Sequence, residues 1–399
     1  MPSEQLQSTL SDKLNYFPIL AGRIIEDTNG NAIVHLTNEG VLFTEARCSN
    51  QKLDYFIQRT ADIKEFDYEN INSSNLSVLV ASDWTGPMVS IQLTRLQCGS
   101  VILSLSAFHC LMDAQSTAHF MNTWASGGKL KSYLPMMDKS FMLLPSVDHP
   151  ISRPLDCVYN RTMDLSSVSP FVQTLQQHII CKVYHFSTSE LKNIKEEAMK
   201  SLTIGVDYIS TYDSLYAHMI LVISKASQAS LNKNRKIKIL QPFNGRSRFV
   251  SSCSKVVLGY FGCFVFWIYE EVQIEESLTL SSLAHIIHNM YSKQDENSLR
   301  YYNAYLSSDD GNIRKNQVDA DICNRDFHCT SWRKMDLLGA SFHGNYSYPI
   351  FNGPAKYRGS RFCVMMDANR NDESINVLLG LKEQEYQRML EQNLLHKYR

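Results

Sequence analysis

The chain has 399 residues, 44% hydrophobic and 20% charged, with a formal net charge of −1. That length fills one large core or two ordinary domains, and two α/β domains are the expected arrangement. Near-neutral charge removes the electrostatic ground for a nucleic-acid or acidic-membrane partner and leaves a small, mostly apolar substrate as the better fit.

The first residues, MPSEQLQSTLSDKLNYF, carry charges and lack the apolar core of a secretory signal. The longest apolar run, LGYFGCFVFWIY from Leu258 to Tyr269, is too short to span a bilayer. A soluble, cytoplasmic protein without membrane contact is therefore expected, and a monomer is the expected assembly state. The ten cysteines include no C-x-x-C pair and read as free thiols of a reducing compartment.

Leu6, Leu10 and Leu14 recur at helical spacing until Pro18, and strand-like segments follow at Ala32–Leu36 and Gly40–Glu45. In MVSIQLTRL, Val89, Ile91 and Leu93 alternate with Ser90, Gln92 and Thr94, the pattern of a half-buried strand. Gly99-Ser100 turns it, VILSLSAF runs back, and His109 stands where that second strand ends. After Asp113, AQSTAHFMNTWAS places Ala118, Met121, Trp124 and Ala125 on one helical face. Gly127-Gly128 and a run of prolines then suggest a crossover linker. Regular patterning resumes near Cys181: CKVYHFS as strand, TSELKNIKEEAMKS and TYDSLYAHMILVISKAS as helices, KIKILQPF as strand. The expected division is residues 1–130, a linker over 131–177, and 178–399.

The stretch SAFHCLMDAQS puts His109 four residues before Asp113, at a strand-to-helix junction where α/β folds commonly expose functional side chains. With twelve histidines in the chain, such a spacing arises by chance on the order of one time in two, so alone it decides nothing. By itself His109 reads as a satisfied histidine at a strand end, and Asp113 as an N-cap of the next helix. A metal use of the pair would need further ligands, and neither His119 nor His285 and His288 form a recognisable set with it.

The segment IQLTRLQCGSVILSLSAFHCLMDAQSTAHFMNTWASGGK resembles the central part of the BAHD acyltransferases, CoA-dependent enzymes with the chloramphenicol-acetyltransferase-like fold. LQSTLSDKLNYFPILAGRI is similar to the family's N-terminal helix, and KVYHFSTSELKNIKEEA with YISTYDSLYAHMI to the start of its second domain. NGRSR followed by GYFG resembles its Arg-rich strand and Gly-Tyr-Phe-Gly-Asn element; TSWRKMD and INVLLGLKEQEYQRML follow in the family's order. Three features depart from the pattern. Ala114 stands where a glycine is usual, Cys263 replaces the asparagine, and GASFHGN at 339–345 is only a loose counterpart of the Asp-Phe-Gly-Trp-Gly motif.

The resemblance implies two chloramphenicol-acetyltransferase-like domains, each a mixed sheet with flanking helices, joined by a long crossover loop, with the active site in a channel between them. It implies transfer of an acyl group from an acyl-CoA co-substrate to the hydroxyl or amine of a small molecule of specialised metabolism, without a metal or other cofactor. His109 is then the general base, for an alcohol needs a positioned base to attack a carbonyl at neutral pH. Asp113 is implied to pair with Arg246 or Arg248 and hold the turn. Ser341 or the backbone near His343 and Gly344 would supply oxyanion donors, and Lys233, Arg235, Lys236 and Lys238 could meet the phosphates of CoA. The three departures, with a start some tens of residues late, support a second reading, a non-catalytic relative that binds a ligand or partner. A third is a condensation-type domain using carrier-bound thioesters.

Overall fold

The computed structural model describes residues 2–28, 32–59, 64–66, 68–80, 86–125, 135–144, 151–152, 154, 159–160, 179–201, 208–227, 236–275, 278–308, 317–318, 326–342, 349–350, 352–354 and 359–399. The junctions expected at 130–131 and 177–178 lie outside them. The chain forms two compact units. One comprises Met1–Met137, Cys253–Phe264 and Trp332–Tyr357; the other comprises Asp138–Ser252, Val265–Ser331 and Arg358–Arg399.

In the first unit, helix α1 (Ser3–Leu14) buries Leu6 and Leu10 as the leucine spacing predicts, and the chain breaks at Pro18 into a short 3-10 turn, Pro18–Ala21. Strands β1 (Leu42–Cys48), β2 (Val89–Leu96) and β3 (Val101–Ala107) form a sheet with β2 central, parallel to β1 and antiparallel to β3. The β2–β3 turn closes through the Leu96 N–H on the Ser100 carbonyl, 2.9 Å, with Gly99 at φ +83°, a conformation few other residues adopt. Helix α2 (Ala114–Ala125) follows β3.

The alternation in β2 does not make a half-buried strand. Ser90, Gln92 and Thr94 are as buried as their apolar neighbours. Residues 75–80 lie over that face: Gln92 Nε2 donates to the Asn75 carbonyl at 2.7 Å, the Ser90 hydroxyl donates to the Val78 carbonyl, and the Val80 N–H donates to Ser106 Oγ at 3.3 Å. A short polar side chain tolerates burial when a passing backbone offers it a partner. The polar half of the alternation thus marks a strand covered by loop backbone.

The core of this unit joins Leu6, Leu10 and Phe17 to Val89, Ile91, Leu93, Met112, Phe120, Trp124 and Phe261. Phe17 meets Phe120 edge-on at 5.3 Å and Phe261 at 4.8 Å, while Trp124 meets Phe342 at 4.8 Å and donates its indole N–H to Thr9 Oγ1 at 3.1 Å. Each such side chain contributes about 1.5–3 kcal/mol by leaving water. Two of these contacts come from the segments 253–264 and 332–357, which therefore complete this core.

In the second unit the four elements read from the sequence are present as β4 (Ile179–Phe186), α3 (Thr188–Met199), α4 (Thr211–Ser227) and β5 (Lys236–Asn244). They are followed by β6 (Val265–Gln273), α5 (Leu280–Ser292), α6 (Glu296–Ser307), β7 (Phe327–Ser331), β8 (Phe362–Asp367), β9 (Ile375–Lys382) and α7 (Glu383–Glu391). The six strands run β6-β5-β7-β8-β9-β4, with β7 parallel to both neighbours and the other pairs antiparallel. Helix starts are locally encoded: Ser187 caps α3, and Thr279 and Asp295 form capping boxes with Ser282 and Ser298. The buried pair Arg361–Glu385, 2.5 Å apart, ties the start of β8 to α7.

Candidate active site

The site is built where β3 gives way to α2. Strand pairing ends at Ala107, the Phe108 N–H still donates to the Met88 carbonyl at 3.3 Å, and the Leu111 N–H closes a turn on the Phe108 carbonyl at 3.0 Å. Leu111 and Met112 are buried, Leu111 against Ile24 and Met88 and Met112 in the main core. These two apolar anchors hold the turn from beneath and leave His109 and Cys110 exposed.

Asp113, 2% exposed, caps α2: its Oδ1 accepts the Ser116 N–H at 2.9 Å, while its own carbonyl accepts the Thr117 N–H at 2.8 Å. The N-cap reading therefore holds, and the carboxylate does more. Its Oδ2 accepts the Phe264 N–H at 3.0 Å, across 151 positions of sequence. Ser116 works in parallel, its hydroxyl donating to the Gly262 carbonyl at 2.9 Å and lying 3.1 Å from the Gly262 N–H, which donates to it. Gln115 Nε2 reaches the Leu258 carbonyl at 3.1 Å. The start of α2 thus holds the segment GYFGCF by its backbone.

This brings Cys263 to His109, with Sγ 3.7 Å from Nδ1, within range of a sulfur hydrogen bond. Gly262 makes the approach possible: its φ is +154°, and a Cβ there would stand 2.8 Å from the Tyr260 hydroxyl. In the sequence Cys263 registered only as a departure from a pattern. No local signal links it to a histidine 154 positions away.

The other expected site residues divide. Ser341 is half-buried in the first unit, beside Phe342, and His343 and Gly344 lie outside the described residues. Arg246 and Arg248 belong to the second unit. Arg246 is 1% exposed, with Nη1 3.2 Å from Asn244 Oδ1; Arg248 donates to the Tyr291 carbonyl at 3.0 Å and stacks its guanidinium on Phe243. Lys236 is exposed at the start of β5, and Lys238 sets its ammonium 4.8 Å from the centre of the Tyr269 ring. Lys233 and Arg235 lie outside the described residues. Of the histidines weighed as metal ligands, His119 packs edge-on to Phe17 and His288 bonds Asp213 at 3.1 Å. Among the described residues no three His, Cys, Asp or Glu side chains gather as a metal set, and no helix is long and apolar enough to cross a membrane.

Mixed sheets with flanking helices in two units are the arrangement of the chloramphenicol-acetyltransferase-like fold. The solved structure of TRI101 from F. sporotrichioides, complexed with coenzyme A and T-2, superposes with a TM-score of 0.76 over 99% of this chain and 90% of that one, at 16% identity. The model described as Transferase family matches residues 1–394, and the chain belongs to that family, the BAHD acyltransferases. It is an acyltransferase of groups other than aminoacyl groups. Among similar proteins are a fatty alcohol:caffeoyl-CoA acyltransferase of Arabidopsis thaliana, 24% identical over 386 residues (95% of this chain, 83% of the relative), and an N-hydroxycinnamoyltransferase of Avena sativa. The latter acts from hydroxycinnamoyl-CoA on 5-hydroxyanthranilate and is 24% identical over 403 residues, 95% of this chain and 83% of its own.

Proposed function

We propose that this protein transfers an acyl group from a CoA thioester to a hydroxyl or amine of a small molecule, with His109 as general base. The observation that carries the reading is the placement of His109: exposed at the end of β3, on a turn anchored by Leu111, Met112 and Asp113. An alcohol meeting the thioester carbonyl must lose its proton as it attacks, and an exposed imidazole can take it. The imidazolium then protonates the departing CoA thiolate. Two relatives that act from caffeoyl-CoA and hydroxycinnamoyl-CoA support an aromatic acyl donor, one acting on a fatty alcohol and the other on an amine. Asp113 serves by shape, holding the turn to the GYFGCF backbone. Ser341 is our candidate oxyanion donor, with His343 and Gly344, and Lys233, Arg235, Lys236 and Lys238 our candidates for the CoA phosphates. A cytoplasmic monomer of specialised metabolism completes the proposal.

The test is thiol release from acetyl-, caffeoyl- and feruloyl-CoA with alcohol and amine acceptors, for wild type and His109→Ala. Turnover that depends on His109 supports the reading. Binding without turnover favours the non-catalytic relative, and turnover equal in both proteins removes His109 as base.

A further inference from the structure

Cys263 is held beside His109 by the bonds of its neighbours. Ser116 clamps both backbone groups of Gly262, and Asp113 takes the N–H of Phe264. With the residues on each side fixed, the half-buried thiol stands 3.7 Å from Nδ1 of an exposed imidazole. A thiol and an imidazole at this separation are the two parts of a cysteine nucleophile, in which the ring draws the thiol proton and leaves the reactive thiolate. If the thiol donates to Nδ1, the ring carries its other proton on Nε2, and the group that His109 activates first is the thiol.

We infer that Cys263 is a further catalytic residue, an acyl-accepting nucleophile that gives this enzyme a covalent route through an acyl-cysteine. The inference rests on the reading of His109 as the proton carrier of the site. In the first half-reaction the Cys263 proton passes to His109 and Sγ bonds to the acyl carbon. The carbon–sulfur bond to CoA breaks, and the CoA thiolate takes the proton from the imidazolium. One thioester replaces another, so no oxidant or energy source is consumed and the intermediate stays reactive. In the second half-reaction the acceptor's proton goes to His109, its oxygen or nitrogen bonds to the acyl carbon, and Cys263 leaves as thiolate to regain the proton.

Two measurements on the whole chain test this. Alkylation of Cys263 by iodoacetamide, followed by peptide mass spectrometry at neutral pH, is expected to slow about tenfold in His109→Ala, because the ring no longer draws the proton. Incubation with acetyl-CoA or caffeoyl-CoA and no acceptor is expected to leave one acyl group on the peptide containing Cys263, removable by neutral hydroxylamine. Acyl exchange into labelled CoA is then expected to fall by roughly 10²-fold in Cys263→Ala. Equal alkylation in both proteins overturns the inference, as does the absence of an acyl-peptide with either donor. Turnover that needs His109 while Cys263→Ala keeps full rate overturns it too, and leaves the general-base reading standing. Turnover that survives His109→Ala removes both.

Discussion

The turn that carries His109 and the helix that carries His218 treat the same side chain in opposite ways. His218 sits in α4 of the second unit, 3% exposed, donating from Nε2 to the Leu395 carbonyl at 2.7 Å, with Phe186 and Tyr398 edge-on to its ring. Burial pushes its pKa from 6.5 down to about 4, a shift that the bond to Leu395 only partly opposes. It is a neutral hydrogen-bond donor bracing the C-terminal segment, and a proton there would cost desolvation. His109 is exposed, and its partner is a thiol that can itself give up a proton. Both histidines stand next to apolar residues in the sequence, Ala107 and Phe108 before the one, Ala217 and Met219 around the other; what separates them is whether the surrounding chain leaves the ring reachable.

The largest effect that would sharpen this contrast is on rate. His109→Ala is expected to lower acyl transfer roughly 10²- to 10⁴-fold. An exposed ring contributes little packing, so the melting temperature should stay nearly unchanged in a thermal melt. A large fall in melting temperature would make His109 a bracing residue like His218.

Asp113→Ala comes next, because it removes both the cap and the acceptor of the buried Phe264 N–H. The lost cap costs about 0.5–2 kcal/mol and the orphaned donor about 1–3 kcal/mol. Chemical denaturation should show the sum, with activity falling as the segment at 262–264 loosens. The pairing with an arginine that the family resemblance implies is tested by a double-mutant cycle of Asp113 with Arg246 and with Arg248. A coupling of about 1–3 kcal/mol with one of them supports the pairing, and additivity removes it.

His218 predicts a pH dependence whose sign follows from its lowered pKa. Between pH 6.5 and 4 the unfolded chain takes up a proton that the folded chain refuses, so stability is full above that window and is lost as pH falls through it. The loss from this one group approaches about 3 kcal/mol near pH 4. His218→Gln, which keeps a donor for the Leu395 carbonyl, should flatten the stability profile there; an unchanged profile would mean that His218 is not buried neutral.

The smallest expected effect is that of Gly262→Ala, which alters no side chain of the site. A Cβ at φ +154°, crowded by Tyr260, costs about 1–3 kcal/mol of strain. Its diagnostic readout is slower iodoacetamide labelling of Cys263 as the thiol moves from His109.

Much of this protein is written locally. The leucine spacing of α1, the β2–β3 hairpin with its Gly99 turn, and the four elements from β4 to β5 follow from patterns spanning one or two turns, which the backbone obeys wherever it lies. The strand-turn-helix around His109 is of the same kind, so the cap at Asp113 could be read without a fold, while His109 became a candidate base only through the family resemblance. Two things could not. Ser90, Gln92 and Thr94 looked like a solvent face, and only the passage of residues 75–80 over them supplies the partners that bury them. Cys263 looked like one altered letter in a familiar stretch. Its meeting with His109 needs Asp113 and Ser116 to hold backbone groups more than 140 positions away. No local propensity encodes a contact of that span, because its entropy cost is met only when a whole core assembles. The place of His109 on its turn is therefore local in origin, and its meeting with Cys263 is made by tertiary structure.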